Sequence, residues 1–169
     1  MKKQVSISFL FAALVLALFS FAQTGTPAQP QPNKEAALTQ HARGTFDVKL
    51  TPQPSDDKEQ PALARFSLEK QFHGDLDGTS KGEMLSTGSP QGSGGYVALE
   101  RVTGTLNGRS GSFALQHSGV MNRGLANLTI TVVPGSGTGQ LVGLSGSFTL
   151  TMKDGKHFYD LEYTLDQPK

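Results

Sequence analysis

Residues 96–117 read Tyr-Val-Ala-Leu-Glu-Arg-Val-Thr-Gly-Thr-Leu-Asn-Gly-Arg-Ser-Gly-Ser-Phe-Ala-Leu-Gln-His. Asn107-Gly108 stands between two runs of alternating character. Asn-Gly suits a two-residue type I′ turn, because both central residues must take positive φ. A hairpin folded about it sets Val102 opposite Phe113, Glu100 opposite Leu115 and Ala98 opposite His117. One face then carries Tyr96, Ala98, Glu100, Val102, Phe113, Leu115 and His117. The other carries Leu99, Arg101, Thr103, Ser112, Ala114 and Gln116. The first face is mostly apolar, yet it includes a carboxylate and an imidazole.

Asp154-Gly155 repeats the signal near the end of the chain. Its hairpin gathers Phe148, Leu150, Met152, His157, Tyr159, Leu161 and Tyr163 on one face, with mostly polar residues opposite. Such alternation describes an antiparallel sheet with one face buried and one in water. Further strands are expected at 45–50 (Phe46, Val48 and Leu50 inward), 64–72, 79–86 and 125–133, with a short one near 140–142. No stretch past residue 43 keeps a 3.6-residue period. Seven to nine short strands imply an all-β sandwich or closed barrel. Hairpin connections favour closure, which removes exposed sheet edges.

The 169-residue chain suits one domain. It has 15 basic and 14 acidic residues and no cysteine or tryptophan. Without cysteine there is no disulfide framework, thiolate nucleophile or cysteine metal site. Near-neutral charge lacks the electrostatic footprint of a nucleic-acid binder. Residues 1–22 have the layout of a secretory signal peptide: Lys2-Lys3, an apolar run from Val5, and small residues Ser20 and Ala22 before Gln23. The competing reading is an uncleaved anchor at the lower limit of bilayer-spanning length. Cleavage is favoured because the small-residue site closes the apolar run. No lipidation cysteine is present, so a periplasmic or secreted protein without membrane attachment is expected. Residues 23–42, with Pro27, Pro30 and Pro32, read as a disordered Pro/Gln-rich linker, leaving 43–169 as the β domain.

A family resemblance is carried by ordered blocks. Phe72-His73-Gly74-Asp75-Leu76-Asp77-Gly78-Thr79 comes first, then Leu99 to Gly104, Gly108 to Phe113 and Leu115 to Gly119. Val133 to Gly139 and Leu141 to Gly146 follow. Over about residues 42–165 the chain resembles the bacterial domain-of-unknown-function family numbered 3224. The resemblance implies an eight-stranded antiparallel barrel like that of allene oxide cyclase, similar also to dirigent proteins. It implies no assigned reaction.

Glu100 and His117 are the leading candidates. They lie diagonally on neighbouring strands of one apolar face, within reach of each other. A buried carboxylate beside an imidazole can act as a general base tuned by burial, or form a purely structural pair. Lys70, between Leu68 and Phe72, can pair with Glu100, meet an anionic ligand, or turn outward on its long stem. Glu83 is a weaker candidate of the same kind. Tyr96, Tyr159 and Tyr163 share the predicted inner face, as ligand contacts or as core residues with satisfied hydroxyls. The four histidines lack metal-pair spacing, so no metal or cofactor is expected. Gly135-Ser136-Gly137-Thr138-Gly139 is read as a turn, since neither a helix nor Gly-Lys-Ser/Thr follows it.

Three functional readings follow. A secreted barrel binds a small apolar or aromatic molecule bearing one polar group. Alternatively, by resemblance to allene oxide cyclase, it is a cofactor-free isomerase that shapes a reactive substrate. Or it is a structural barrel with a filled core. Related barrels associate, so a homo-oligomer is compatible with each.

Overall fold

A computed structural model describes residues 38–166, apart from residues 55, 57, 60, 61 and 90. The expected signal peptide, and the linker as far as residue 37, lie outside the described residues. Eight strands follow in order: β1 (Gln40–Gln53), β2 (Ala64–Gly74), β3 (Leu76–Gly88), β4 (Gly94–Leu106), β5 (Arg109–Asn122), β6 (Leu125–Val132), β7 (Leu144–Lys153) and β8 (Lys156–Leu165). Each pairs antiparallel with its neighbour in sequence, and β8 returns to β1 to close the barrel.

Both hairpin registers hold. Val102 faces Phe113, Ala98 faces His117, and Phe148 faces Leu161. Asn107-Gly108 (φ 46° and 81°) and Asp154-Gly155 (φ 52° and 74°) take the positive φ that a type I′ turn requires. Arg123-Gly124 does the same between β5 and β6 (φ 49° and 86°). Arginine gives no turn signal there, so only the glycine hinted at it.

Three details differ from expectation. β1 begins at Gln40, so residues 40–42, assigned to the linker, are strand. Ala42 there is fully buried against the core. Residues 139–141 form a single 3₁₀ turn, not a strand. Val48 and Leu50 have the inward parity of Phe46 yet are 36% and 47% exposed. Parity sets the side of the sheet; depth along the barrel axis sets burial.

That depth divides the interior. At one end Leu76, Leu106, Leu141, Leu144 and Leu165 are buried. Below them Phe72 packs edge-on against Phe148 and Tyr159, at ring centroid distances of 6.1 and 5.8 Å. Tyr159 Oη accepts from Leu76 N (3.0 Å) and lies 3.2 Å from the carbonyls of His73 and Leu76. Tyr163 Oη accepts from Asn107 Nδ2 (2.9 Å) and donates to Gln40 Oε1 (3.1 Å). This end is therefore closed by packing and by hydroxyls with partners. At the other end Leu50, Met121, Leu128 and Met152 stay 38–67% exposed although they face inward. That end is the mouth.

The Gly/Ser-rich loop completes the wall where β6 stops short. Beyond Val132 it runs on beside β5. Ser136 Oγ accepts from Ala114 N (2.9 Å), Thr138 Oγ1 from Ser112 N (3.0 Å) and Gln140 Oε1 from Ser110 N (2.9 Å). The loop thus supplies acceptors for β5 amides that a longer β6 would otherwise pair. Its hydroxyls and turns are structural, as expected of a turn and not of a phosphate loop.

Candidate functional site: a buried ionic cluster beneath the barrel mouth

Glu100 lies in mid-barrel with its side chain wholly shielded from solvent. Three side chains donate to it. Oε1 receives Lys70 Nζ at 2.7 Å and His117 Nε2 at 2.9 Å, and Oε2 receives Ser80 Oγ at 2.5 Å. Lys70 is 8% and His117 5% exposed at the side chain. The ammonium also lies 4.8 Å from the Phe46 ring centroid, a cation–π contact.

The strands explain how these groups meet. His117 on β5 reaches Glu100 on the adjacent β4, the diagonal contact that the hairpin register implies. Lys70 is on β2, two strands from β4, and must cross the inner face of β3. There β3 presents Ser80 and Gly82, with Gly82 paired directly to Glu100. A Cβ on Gly82 would stand 2.6 Å from Glu100 Cα and Cβ. Those neighbours belong to β4, so the glycine lets β3 approach β4 closely where Glu100 sits. Ser80 then fills the remaining acceptor position.

The charges decide what the cluster can do. Burial alone would raise the Glu100 carboxyl. The His117 hydrogen bond, the Lys70 charge with its hydrogen bond, and the Ser80 hydroxyl outweigh burial and hold the group at about 2. A carboxylate so well satisfied is a weak base, so the tuning is opposite to the burial-raised base considered from sequence. No buried side-chain nitrogen or oxygen among the described residues lacks a partner.

The mouth begins just above this cluster. A cavity of about 450 Å³ lies between β3, β4, β5 and β6, lined by residues that include Met84, Ser86, Tyr96, Gly119, Met121 and Leu128. Gly119 accommodates the ring of Tyr96, its partner across β4–β5; a Cβ there would collide with that ring. The Tyr96 phenol is pushed above its ordinary value by burial first and by the Glu100 charge second. It therefore remains a neutral donor at physiological pH. The lining is otherwise almost entirely apolar.

Of the six residues singled out from sequence, Glu100, His117 and Lys70 form one cluster and Tyr96 stands at the cavity above it. Tyr159 and Tyr163 are inward, as expected, but at the closed end, where their hydroxyls hold backbone and turn. The structure does not bring them to this site. Glu83 points outward and pairs with Arg65 at 2.6 Å. Ser80 and Gly82 were missed, because the register of β3 could not be derived without a tight-turn signal at either end. Of the other histidines, His41 bonds Asp160 on the outer wall (2.8 Å), His73 lies 3.4 Å from Asp47, and His157 stacks on Phe46 (4.8 Å). Among the described residues no three His, Cys, Asp or Glu side chains are grouped to hold a metal ion.

The family profile described as a protein of unknown function, DUF3224, matches residues 42–163. The chain belongs to the DUF3224 family. A solved structure of a DUF3224 protein of unknown function from Shewanella oneidensis MR-1 is 43% identical, with a TM-score of 0.73. The match covers 78% of this chain and 100% of that one. No curated protein matches. This DUF3224 chain thus shares its barrel with a solved relative, and its site is read from its own residues.

Proposed function

We propose that this DUF3224 protein holds a small, largely apolar molecule in the barrel mouth, and that it does so in the periplasm or outside the cell. The observation that carries the reading is the cavity of about 450 Å³ walled by Met84, Met121 and Leu128, with Tyr96 at its side. Its volume falls within the usual range for small-molecule sites, and its apolar walls with few polar groups match their chemistry. The buried cluster supports the role. Lys70, Glu100 and His117 lie outside its lining and are paired with one another, which keeps charge away from an apolar guest. The extracytoplasmic address rests on the basic, apolar and small-residue layout of residues 1–22. The isomerase reading is less well supported, since a carboxylate held at about 2 makes a poor proton acceptor.

The test is native mass spectrometry of protein purified from its own host's periplasm or medium, repeated after denaturation. We expect a specific small molecule near one per chain, lost in a Leu128→Trp variant that fills the mouth and keeps the β-sheet circular-dichroism spectrum. An apo mass from fresh material, with no displacement of added apolar probes by Leu128→Trp, would overturn the reading in favour of a structural barrel. The same spectra report the association state.

A further inference from the structure

The placement of sulfur carries an inference that rests on the ligand reading above and goes further. The chain has no cysteine and four methionines, so thioethers are its only sulfur. Among the described residues these are Met84, Met121 and Met152, and all three have inward parity in the open half of the barrel. The buried core cluster contains no methionine, only Ala, Val, Leu, Ile, Phe and Tyr. Methionine is a flexible gap-filler that is at home in packed cores. Its confinement to the mouth is therefore not a demand of packing.

The three methionines differ in setting. Met121 and Met84 wall the cavity, and Met152 does not. Met121 is 47% and Met152 67% exposed, so a small oxidant in water reaches both. Met84 is half-buried. A peroxide attacked by the thioether sulfur gives up its terminal oxygen: the O–O bond breaks, an S–O bond forms and water leaves, so sulfur is oxidised and the peroxide reduced. The sulfoxide is polar where the thioether was apolar. In an empty mouth water solvates its oxygen. An apolar guest strips that water away and returns no hydrogen bond, a loss on the order of tenfold in affinity.

We propose that Met121, with Met84 behind it, is an oxidation site that releases the guest. Peroxide converts the thioether to the sulfoxide, the cavity wall turns polar, and an apolar molecule no longer stays in the mouth. The sulfoxide is a reversible product, so a methionine sulfoxide reductase restores the site. Met152 oxidises alongside them without consequence for the guest, because it lies outside the lining.

The test uses the full purified protein, hydrogen peroxide and the neutral apolar dye N-phenyl-1-naphthylamine, whose fluorescence reports binding. Peptide mass mapping should show one added oxygen at Met152 and Met121 before Met84. Dye affinity should fall about tenfold as Met121 and Met84 oxidise, with the β-sheet circular-dichroism spectrum unchanged, and should return after treatment with a methionine sulfoxide reductase and its reductant. Met152→Leu should keep the peroxide response. Met84→Leu/Met121→Leu should lose it, oxidised and untreated samples binding alike. Met121→Gln should weaken dye binding without any oxidant, an arm that does not depend on the double variant folding. Untreated protein that binds the dye, with an affinity unmoved by oxidation at Met121 and Met84, overturns the release proposal while the ligand reading stands. So does a Met121 that peroxide leaves untouched, a response abolished by Met152→Leu, or a loss of the β-sheet spectrum on oxidation, which would make unfolding the cause of release. If untreated protein binds no dye saturably, the ligand reading falls and the release proposal falls with it.

Discussion

Replacing Glu100 by Gln is the sharpest perturbation of this barrel. The substitution keeps shape and an acceptor oxygen but removes the charge that balances Lys70, whose side chain is 8% exposed. Removing one partner of a buried ion pair costs about 3–5 kcal/mol, because the survivor is left uncompensated. A second route gives a similar size. The carboxyl falls from its ordinary 4.5 to about 2 in the folded protein, which at about 1.4 kcal/mol per pH unit is roughly 3 kcal/mol of net stabilisation. Urea unfolding at pH 7, followed by far-UV circular dichroism, should show Glu100→Gln losing stability in that range. Lys70→Met should lose a comparable amount, since it strands the carboxylate. The double variant Glu100→Gln/Lys70→Met should recover at least about 2 kcal/mol over the sum of the singles, because two neutral groups replace a pair whose desolvation was costly. A Glu100→Gln cost below about 1 kcal/mol, or strict additivity in the cycle, would refute the assignment of the cluster as a buried, mutually dependent pair.

The same carboxyl predicts a pH window. Its folded value is depressed, so its contribution is complete above about 4.5 and is lost as pH falls toward about 2. Urea midpoints between pH 5 and pH 2 should therefore decline more steeply in the wild type than in Glu100→Gln. Gly82→Ala places a methyl against the Glu100 backbone, 2.6 Å from its Cα, and should cost about 1–3 kcal/mol in urea unfolding; a neutral result would show that β3 does not need this gap. Tyr159→Phe leaves the Leu76 amide without its 3.0 Å acceptor and should cost about 1–3 kcal/mol. The same variant should leave apolar-probe affinity at the mouth unchanged, and a loss of that binding in a folded Tyr159→Phe would contradict the division into closed end and mouth. Asn107→Ala removes a residue suited to φ 46° and its 2.9 Å bond to Tyr163 Oη; a drop in thermal midpoint of several degrees is expected, and an unchanged midpoint would show that the turn does not hold this end.

Sequence alone determined the β class, two hairpins and their registers. Asn107-Gly108 and Asp154-Gly155 are local signals: two residues that tolerate positive φ dictate the turn, the turn dictates the pairing, and the pairing dictates which side chains share a face. That chain of reasoning reached Glu100 and His117, because their contact spans only one hairpin. It stopped where contacts left the hairpin. The Lys70–Glu100 bond crosses an intervening strand, β3, where Ser80 pairs with Lys70 and Gly82 with Glu100. The placement of Tyr159 and Tyr163 at the closed end, and of Val48 and Leu50 toward the mouth, depends on the stagger with which β8 meets β1, more than a hundred residues apart in sequence. Period-two alternation says which way a side chain points and nothing about its depth along the barrel. Depth is set by closure, a property of all eight strands together, and closure separated a filled half from an open one and set a paired carboxylate beneath a cavity.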